Sequence, residues 1–196
     1  MYEQTNPMSR WHRIWILVVA TALLASAAAI AGPASASSET IETYRVTVTN
    51  LTENQTLTPA VVATHDRSFR LFRIAEPASN GLQQLAENGG VPVLVDELTA
   101  DSRVADVAVT DGGPIAPGQS ASTLITTTGD ASRISVAAML ICTNDGFASV
   151  IGVQLSRTSA EITRYGRAYD AGTEINTQSF IDLVPPCSGT GVGTGM

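Results

Sequence analysis

The segment Arg133 to Cys142, RISVAAMLIC, constrains the fold more than any other. Apart from a stretch near the N-terminus, it is the most continuously apolar run of the chain. A strand with one solvated face alternates apolar and polar side chains, and this one does not. It therefore reads as a central strand buried on both faces, and the rest of the chain must cover it twice. Tyr44 to Thr49 alternates, with Tyr44, Val46 and Val48 on one face, as a half-buried strand does. Ala60 to Thr64 and Phe69 to Ile74 are short apolar runs expected to be extended. Val104 to Val109 alternates, Ser120 to Thr127 is rich in Thr and Ile, and Phe147 to Leu155 follows a short polar loop. Gly112-Gly113-Pro114, Pro117-Gly118 and Gly129-Asp130 supply turns between them. One helical excursion interrupts the pattern. Ser79-Asn80-Gly81 can cap a helix over Leu82 to Glu87, which Gly89-Gly90 would stop. Pro92 to Leu98 predicts a second helix with Pro near its first turn. The predicted fold class is all-β, an antiparallel β-sandwich with a short helical insertion.

The N-terminus carries a different signal. Arg10, His12 and Arg13 precede an uncharged apolar stretch from Ile14 to Ala31, and Ala34-Ser35-Ala36 follows Pro33. A basic start, an apolar stretch and an A-x-A site describe a secretory signal peptide. The stretch is also long enough for a retained membrane anchor. Cleavage after Ala36 would remove both Trp residues, Trp11 and Trp15. The expected organisation is a signal peptide over 1–36, a sandwich domain over 37–187, and a Gly- and Thr-rich tail over 188–196.

Composition narrows the class. The formal charge is -7, only 15% of residues are charged and 44% are hydrophobic. Low hydrophobicity with high charge would mark disorder, and neither is present. All 11 basic residues are Arg, and no Arg cluster stands out along the chain. That argues against a nucleic-acid partner, which would need clustered positive charge. Cys142 and Cys187 form an even count in a chain expected to be exported, which predicts one disulfide. Closing a loop of about 45 residues would stabilise the fold by roughly 3–4 kcal/mol.

Two acidic loops hold the chemistry. Thr143-Asn144-Asp145-Gly146-Phe147 follows the central strand, and Tyr169-Asp170-Ala171-Gly172-Thr173-Glu174 comes later. Asp170 and Glu174 stand four apart around a Gly, so both can face one point. A third carboxylate from a neighbouring loop would complete an oxygen-only site suited to Ca²⁺. Without a cation such carboxylates repel one another. Acidic turns are also common for purely local reasons, since Asp-Gly is an ordinary turn dipeptide.

Read in order, several segments resemble the spondin N-terminal domain family, in its prokaryotic branch. They include Thr49-Asn50-Leu51-Thr52, Leu57-Thr58-Pro59, Val61-Val62-Ala63-Thr64-His65, Gly81-Leu82-Gln83-Gln84-Leu85-Ala86 and Pro114-Ile115-Ala116-Pro117-Gly118. Thr143-Asn144-Asp145-Gly146-Phe147 and Asp170-Ala171-Gly172-Thr173-Glu174 carry most of the specificity. The resemblance spans nearly all of residues 42–184. Animal members are extracellular-matrix adhesion proteins with a C2-like sandwich that binds calcium at one end. The resemblance implies that Asp145, Asp170 and Glu174 are the ligand carboxylates. Two departures stand out. Asn144-Asp145-Gly146 replaces the usual Pro-Asp-Trp, and Glu174 replaces a usual Asp; Glu still ligates Ca²⁺, often bidentately. Animal receptor and glycan partners do not carry over, because no residues match them.

His65 and Asp66 invite a hydrolase reading with a serine such as Ser135 as nucleophile. No G-x-S-x-G elbow accompanies them, so His65 is expected to end a strand and hydrogen-bond locally. His12 falls within the leader. No H-E-x-x-H, P-loop or Rossmann fingerprint occurs. Asn50-Leu51-Thr52 and Asn54-Gln55-Thr56 are formal glycosylation sequons that read better as a polar turn. The expectation is an exported, non-enzymatic, calcium-binding domain that engages a surface, matrix or protein at the cell exterior. It has no nucleic-acid partner, and it meets a membrane only if the leader is kept. The alternatives are a secreted hydrolase using His65 and a purely structural envelope protein.

Overall fold

The structure is a computed structural model and describes residues 41–156, 158, 160–177, 179–183 and 187. The expected leader over 1–36 and the expected tail over 188–196 lie outside the described residues. In chain order the elements are β1 (Glu42–Thr49), β2 (Val61–His65), α1 (Asn80–Asn88), α2 (Val91–Ala100), β3 (Val104–Val109), β4 (Ser120–Thr127), β5 (Arg133–Met139), β6 (Gly146–Gln154) and β7 (Arg167–Asp170). A single 3-10 turn, Phe180–Asp182, follows. Every strand pairing is antiparallel. One sheet has five strands in the order β3-β2-β5-β6-β7, and the other pairs β1 with β4. This is the expected all-β sandwich with a helical insertion.

β5 lies at the centre of the larger sheet, as its apolar run requires. The two covers it needs are different in kind. On one face Val61 and Ala63 of β2, Ala137 of β5 and Phe147 of β6 pack with Leu82, Leu85, Leu94 and Leu98 of the two helices. On the other face Val62 and Ile134 pack with Ile125, Tyr44 and Val46 of the two-stranded sheet. Alternate residues of β2 thus serve opposite layers, and all five are buried. The alternation read in β1 is present as well, with each second residue half-buried against this core.

The helices follow their local signals. The Ser79 side chain accepts from the Leu82 N–H, and Gly89 ends α1 in the left-handed conformation. Pro92 sits in the first turn of α2. Phe69 to Ile74 departs from expectation, because no strand forms there. The Asp66 carboxylate captures the backbone N–H groups of Ser68 and Phe69 at 2.7 and 3.0 Å and so turns the chain. The apolar side chains still reach the core: Phe69 and Leu71 are buried although the backbone is irregular. Among the described residues no helix is long and apolar enough to cross a membrane.

Candidate functional site

Strand pairing assembles the acidic pole. β7 runs beside β6 with Gly146 opposite Asp170, so Asp145 and Asp170 come to the same end of the sheet. Asp170 was expected in a loop but is the last residue of a short strand. Past it the chain turns at Gly172, whose φ of 69° favours glycine. Gly146 has a different reason to be glycine. A Cβ there would stand 2.5 Å from the Thr143 hydroxyl, which accepts a hydrogen bond from the Gly146 N–H at 2.9 Å.

Asp145 ties the two loops together. Its side chain is 2% exposed. One oxygen, Oδ2, accepts from the Thr173 N–H at 2.8 Å and the Glu174 N–H at 3.2 Å. Its backbone carbonyl accepts from the Ala171 N–H at 3.1 Å. No ion pair reaches it among the described residues. Asn144 adds a bond from Nδ2 to the Ile175 carbonyl at 2.9 Å. Asp170 closes its own turn: Oδ1 accepts from the Gly172 N–H at 2.7 Å, and Oδ2 from Asn176 Nδ2 at 2.8 Å. Glu174 is 8% exposed. The roles of Thr173, Asn144 and Asn176 were not read from the sequence; the only signal for the first two was their place inside the loops singled out for their acids, and Asn176 lies just beyond the second loop.

The three expected ligand residues therefore share one pole. Their chemistry, three carboxylates, suits a hard cation such as Ca²⁺. Their placement is looser than a finished cage: among the described residues no group of three His, Cys, Asp or Glu is gathered closely enough to hold a metal ion. The donor set fits in kind, and backbone amides occupy part of it.

The expected disulfide is present. Cys142 and Cys187 are bonded, with Cα atoms 5.5 Å apart and a sequence separation of 45. Cys142 lies between the end of β5 and Asp145, so the crosslink holds a C-terminal residue beside the acidic pole.

His65 and Ser135 do meet. His65 Nε2 and Ser135 Oγ are 2.8 Å apart, and His65 Nδ1 is 2.6 Å from the Asp66 backbone carbonyl. A carbonyl only accepts, so Nδ1 carries the proton and Nε2 accepts from the Ser135 hydroxyl. Ser135 Oγ in turn accepts from the Gly152 N–H at 2.9 Å. Burial pushes the His65 pKa below its ordinary value, which favours the neutral ring. The Asp66 carboxylate is turned to Ser68 and Phe69 instead of the imidazole. His65 is 0% and Ser135 1% exposed. A nucleophile needs an approach for its substrate, and this serine lies inside the sheet.

The first sequon is also spoken for. Asn50 is buried, and its Nδ2 donates to the carbonyls of Gln55 and Ile115 at 2.7 and 2.8 Å. Its Oδ1 accepts from the Thr52 N–H, which makes the polar turn expected there. Arginine is the other departure. No cluster was expected, but Arg67, Arg70 and Arg73 fall within seven residues, and Arg103 joins Arg70 and Arg73 around one depression.

Comparison with curated proteins returns no match. A family model does match, Spondin_N, over residues 44–181. That span runs from β1 through the 3-10 turn and contains both acidic loops, the His65 network and the helical insertion. The family and the disulfide suit an extracellular type of setting. On that match, the chain belongs to the Spondin_N family.

Proposed function

We propose that this chain is an exported, non-enzymatic binding domain whose acidic pole takes a calcium ion. The observation that carries the reading is Asp145. It is a buried carboxylate with neutral hydrogen-bond donors and no basic partner among the described residues, in the loop cluster that also holds Asp170 and Glu174. Asp145, Asp170 and Glu174 would hold the ion. A bound divalent cation supplies charge neutralisation, which lets the carboxylates share a pole at lower cost. The chain's own part is to orient them: Asp145 fixes the loop over 171–174, and the turn at Gly172 lies between Asp170 and Glu174. Calcium then stiffens one end of the sandwich, which presents its loops to a surface, matrix or protein partner at the cell exterior.

The test is a pair of melting curves, with excess calcium and with chelator. Calcium at about 100 times its dissociation constant adds about 2.7 kcal/mol to the folded state. The melting temperature should rise accordingly, and Asp170→Asn should abolish most of that rise. Coincident curves for the unmodified protein would reject the calcium site.

A metal-free reading has its own support, because the Asp145 and Asp170 carboxylates already accept backbone N–H groups. Under it the pole is a clamp that holds the loop over 171–174, and the two curves coincide. The hydrolase reading has weaker support. It has a His–Ser hydrogen bond but a buried serine, and its histidine is oriented by a carbonyl instead of a carboxylate.

A further inference from the structure

Between the end of β2 and the start of α1 the chain makes an irregular excursion over residues 66–79. It borders an open depression of about 250 Å³. Arg70, Arg73 and Arg103 line it, together with Phe72, Glu76 and Ser79. Three arginines and one glutamate line it, in a chain with 11 basic residues against 18 acidic ones.

The three arginines are held differently. Arg70 Nη1 donates to the carbonyls of Arg67 and Phe69 at 2.8 and 2.7 Å. That fixes the guanidinium, and no carboxylate pairs with it among the described residues. Arg103 is braced by Asp101, with Nε donating to Oδ1 at 2.9 Å, and lies over the Phe69 ring at 5.3 Å. Arg73 has only a 3.8 Å pairing with Glu76, and both side chains are more than half exposed, 63% and 60%. Such an ion pair is worth little and exchanges readily for a better anion. Ser79 accepts from the Leu82 N–H, so its own hydroxyl proton remains to donate, at the positive end of the nine-residue α1. Ala75, at the tip of the excursion, has a φ of 66°, which costs a residue with a Cβ and holds the turn between Arg73 and Glu76.

We infer that this depression binds a compact oxyanion of the phosphate or sulfate type. A planar guanidinium matches the tetrahedral oxygens of such a group better than a point charge does, and Arg103, whose fork is held by Asp101, adds charge rather than donors. Arg70 supplies a preset charge, Arg73 closes after leaving Glu76, and Ser79 adds a neutral donor. The lining is mostly polar, and the Phe72 ring beside it is packed on Phe147 and Tyr169, which suits a free ion or the charged end of an ester. None of the three acids of the pole lines the depression, although those edge-on ring contacts tie Phe72 to β6 and β7, the strands beside that pole.

Inorganic phosphate and sulfate, titrated into the purified disulfide-intact protein at constant ionic strength, test this by amide chemical shifts. Saturable shifts are expected at residues 70–79 and 103, with none for chloride. Arg70→Ala should weaken binding roughly 10-fold or more, the loss of a charge-assisted contact. Arg70→Lys should lose less, since the charge remains and the fork does not. Arg45→Ala, on β1, should change nothing. Phenyl phosphate binding more tightly than phosphate would identify an ester as the natural source, and equal binding a free ion. If Arg70→Ala does not fold, Arg73→Ala carries the test, because its side chain is exposed and a several-fold loss is expected. Shifts that never saturate, or that Arg45→Ala weakens as much as Arg70→Ala or Arg73→Ala, would overturn the inference.

Discussion

His65 and Asp145 are both buried polar side chains at the edge of a strand, and they are satisfied in opposite ways. His65 ends β2 and finds Ser135 on the neighbouring strand β5, which in turn takes the Gly152 N–H of β6. Its partners are fixed once the strands are in register. Asp145 precedes β6 and holds backbone N–H groups 28 and 29 residues later, in a loop. Its partners exist only if that loop takes one conformation. A buried polar group in a sheet is thus secured by a ladder of other bonds. One in a loop cluster must itself secure the loop, with the help of Gly172 and the Cys142–Cys187 crosslink. The pole therefore depends on one loop conformation, and the His65 network on strand register.

The largest expected effect tests the crosslink. Replacing Cys142 and Cys187 by Ser should cost roughly 3–4 kcal/mol by the chain-entropy argument. Amide exchange should quicken first at Thr173 and Glu174, before Ala63 and Val136. Uniform acceleration across both regions would erase the contrast between loop and ladder.

Asp145→Ala comes next. It strips the acceptor from two backbone N–H groups, at Thr173 and Glu174, and should cost about 2–4 kcal/mol in denaturant unfolding. Asp145→Asn keeps an oxygen and should cost less. Equal losses for the two would mean that charge at this position matters more than its hydrogen bonds.

Ser135→Ala probes the ladder. It leaves His65 Nε2 and the Gly152 N–H without their partner, at about 1–3 kcal/mol. The acidic pole should keep its exchange protection, and any calcium response should persist. Loss of that response would show that the two regions are coupled.

The smallest effect is on pH. Burial holds the folded His65 pKa below 6.5, so the unfolded chain takes the proton first as pH falls. Its contribution is fully present above about 6.5 and is lost as pH drops towards the folded value. One unit below 6.5 the loss from this residue reaches at most about 1.4 kcal/mol. Thermal unfolding at pH 7.5 and 5.5 should show it, and His65→Gln should flatten the difference. A protein more stable at 5.5 than at 7.5 would contradict the neutral, buried imidazole.

Legibility followed the range of the interactions. The central strand β5, the alternation of β1 and the caps at Ser79 and Gly89 are local patterns, and each was readable from neighbouring residues. β7 was missed because its four residues, RAYD, are mostly exposed and carry no periodicity. They are a strand only because β6 offers an edge beside them. Phe69 to Ile74 looked extended because it is apolar, yet Asp66 claims the backbone N–H groups that a strand would use. Asp145 was singled out with its two acidic neighbours, but its bonds to Thr173 and Glu174 were not.

By itself the sequence determined the β class, the helical insertion, the two acidic loops and the pair of cysteines, since composition, period and capping act over a few residues. Only the tertiary structure decided that Gly146 faces Asp170, that Ser135 is sealed inside the sheet with His65, and that Arg103 joins Arg70 and Arg73 at one depression. Those are encounters between residues far apart in the chain. No local preference encodes them, because they follow from which strands pair, in what register, and on which face of the central sheet the helices settle.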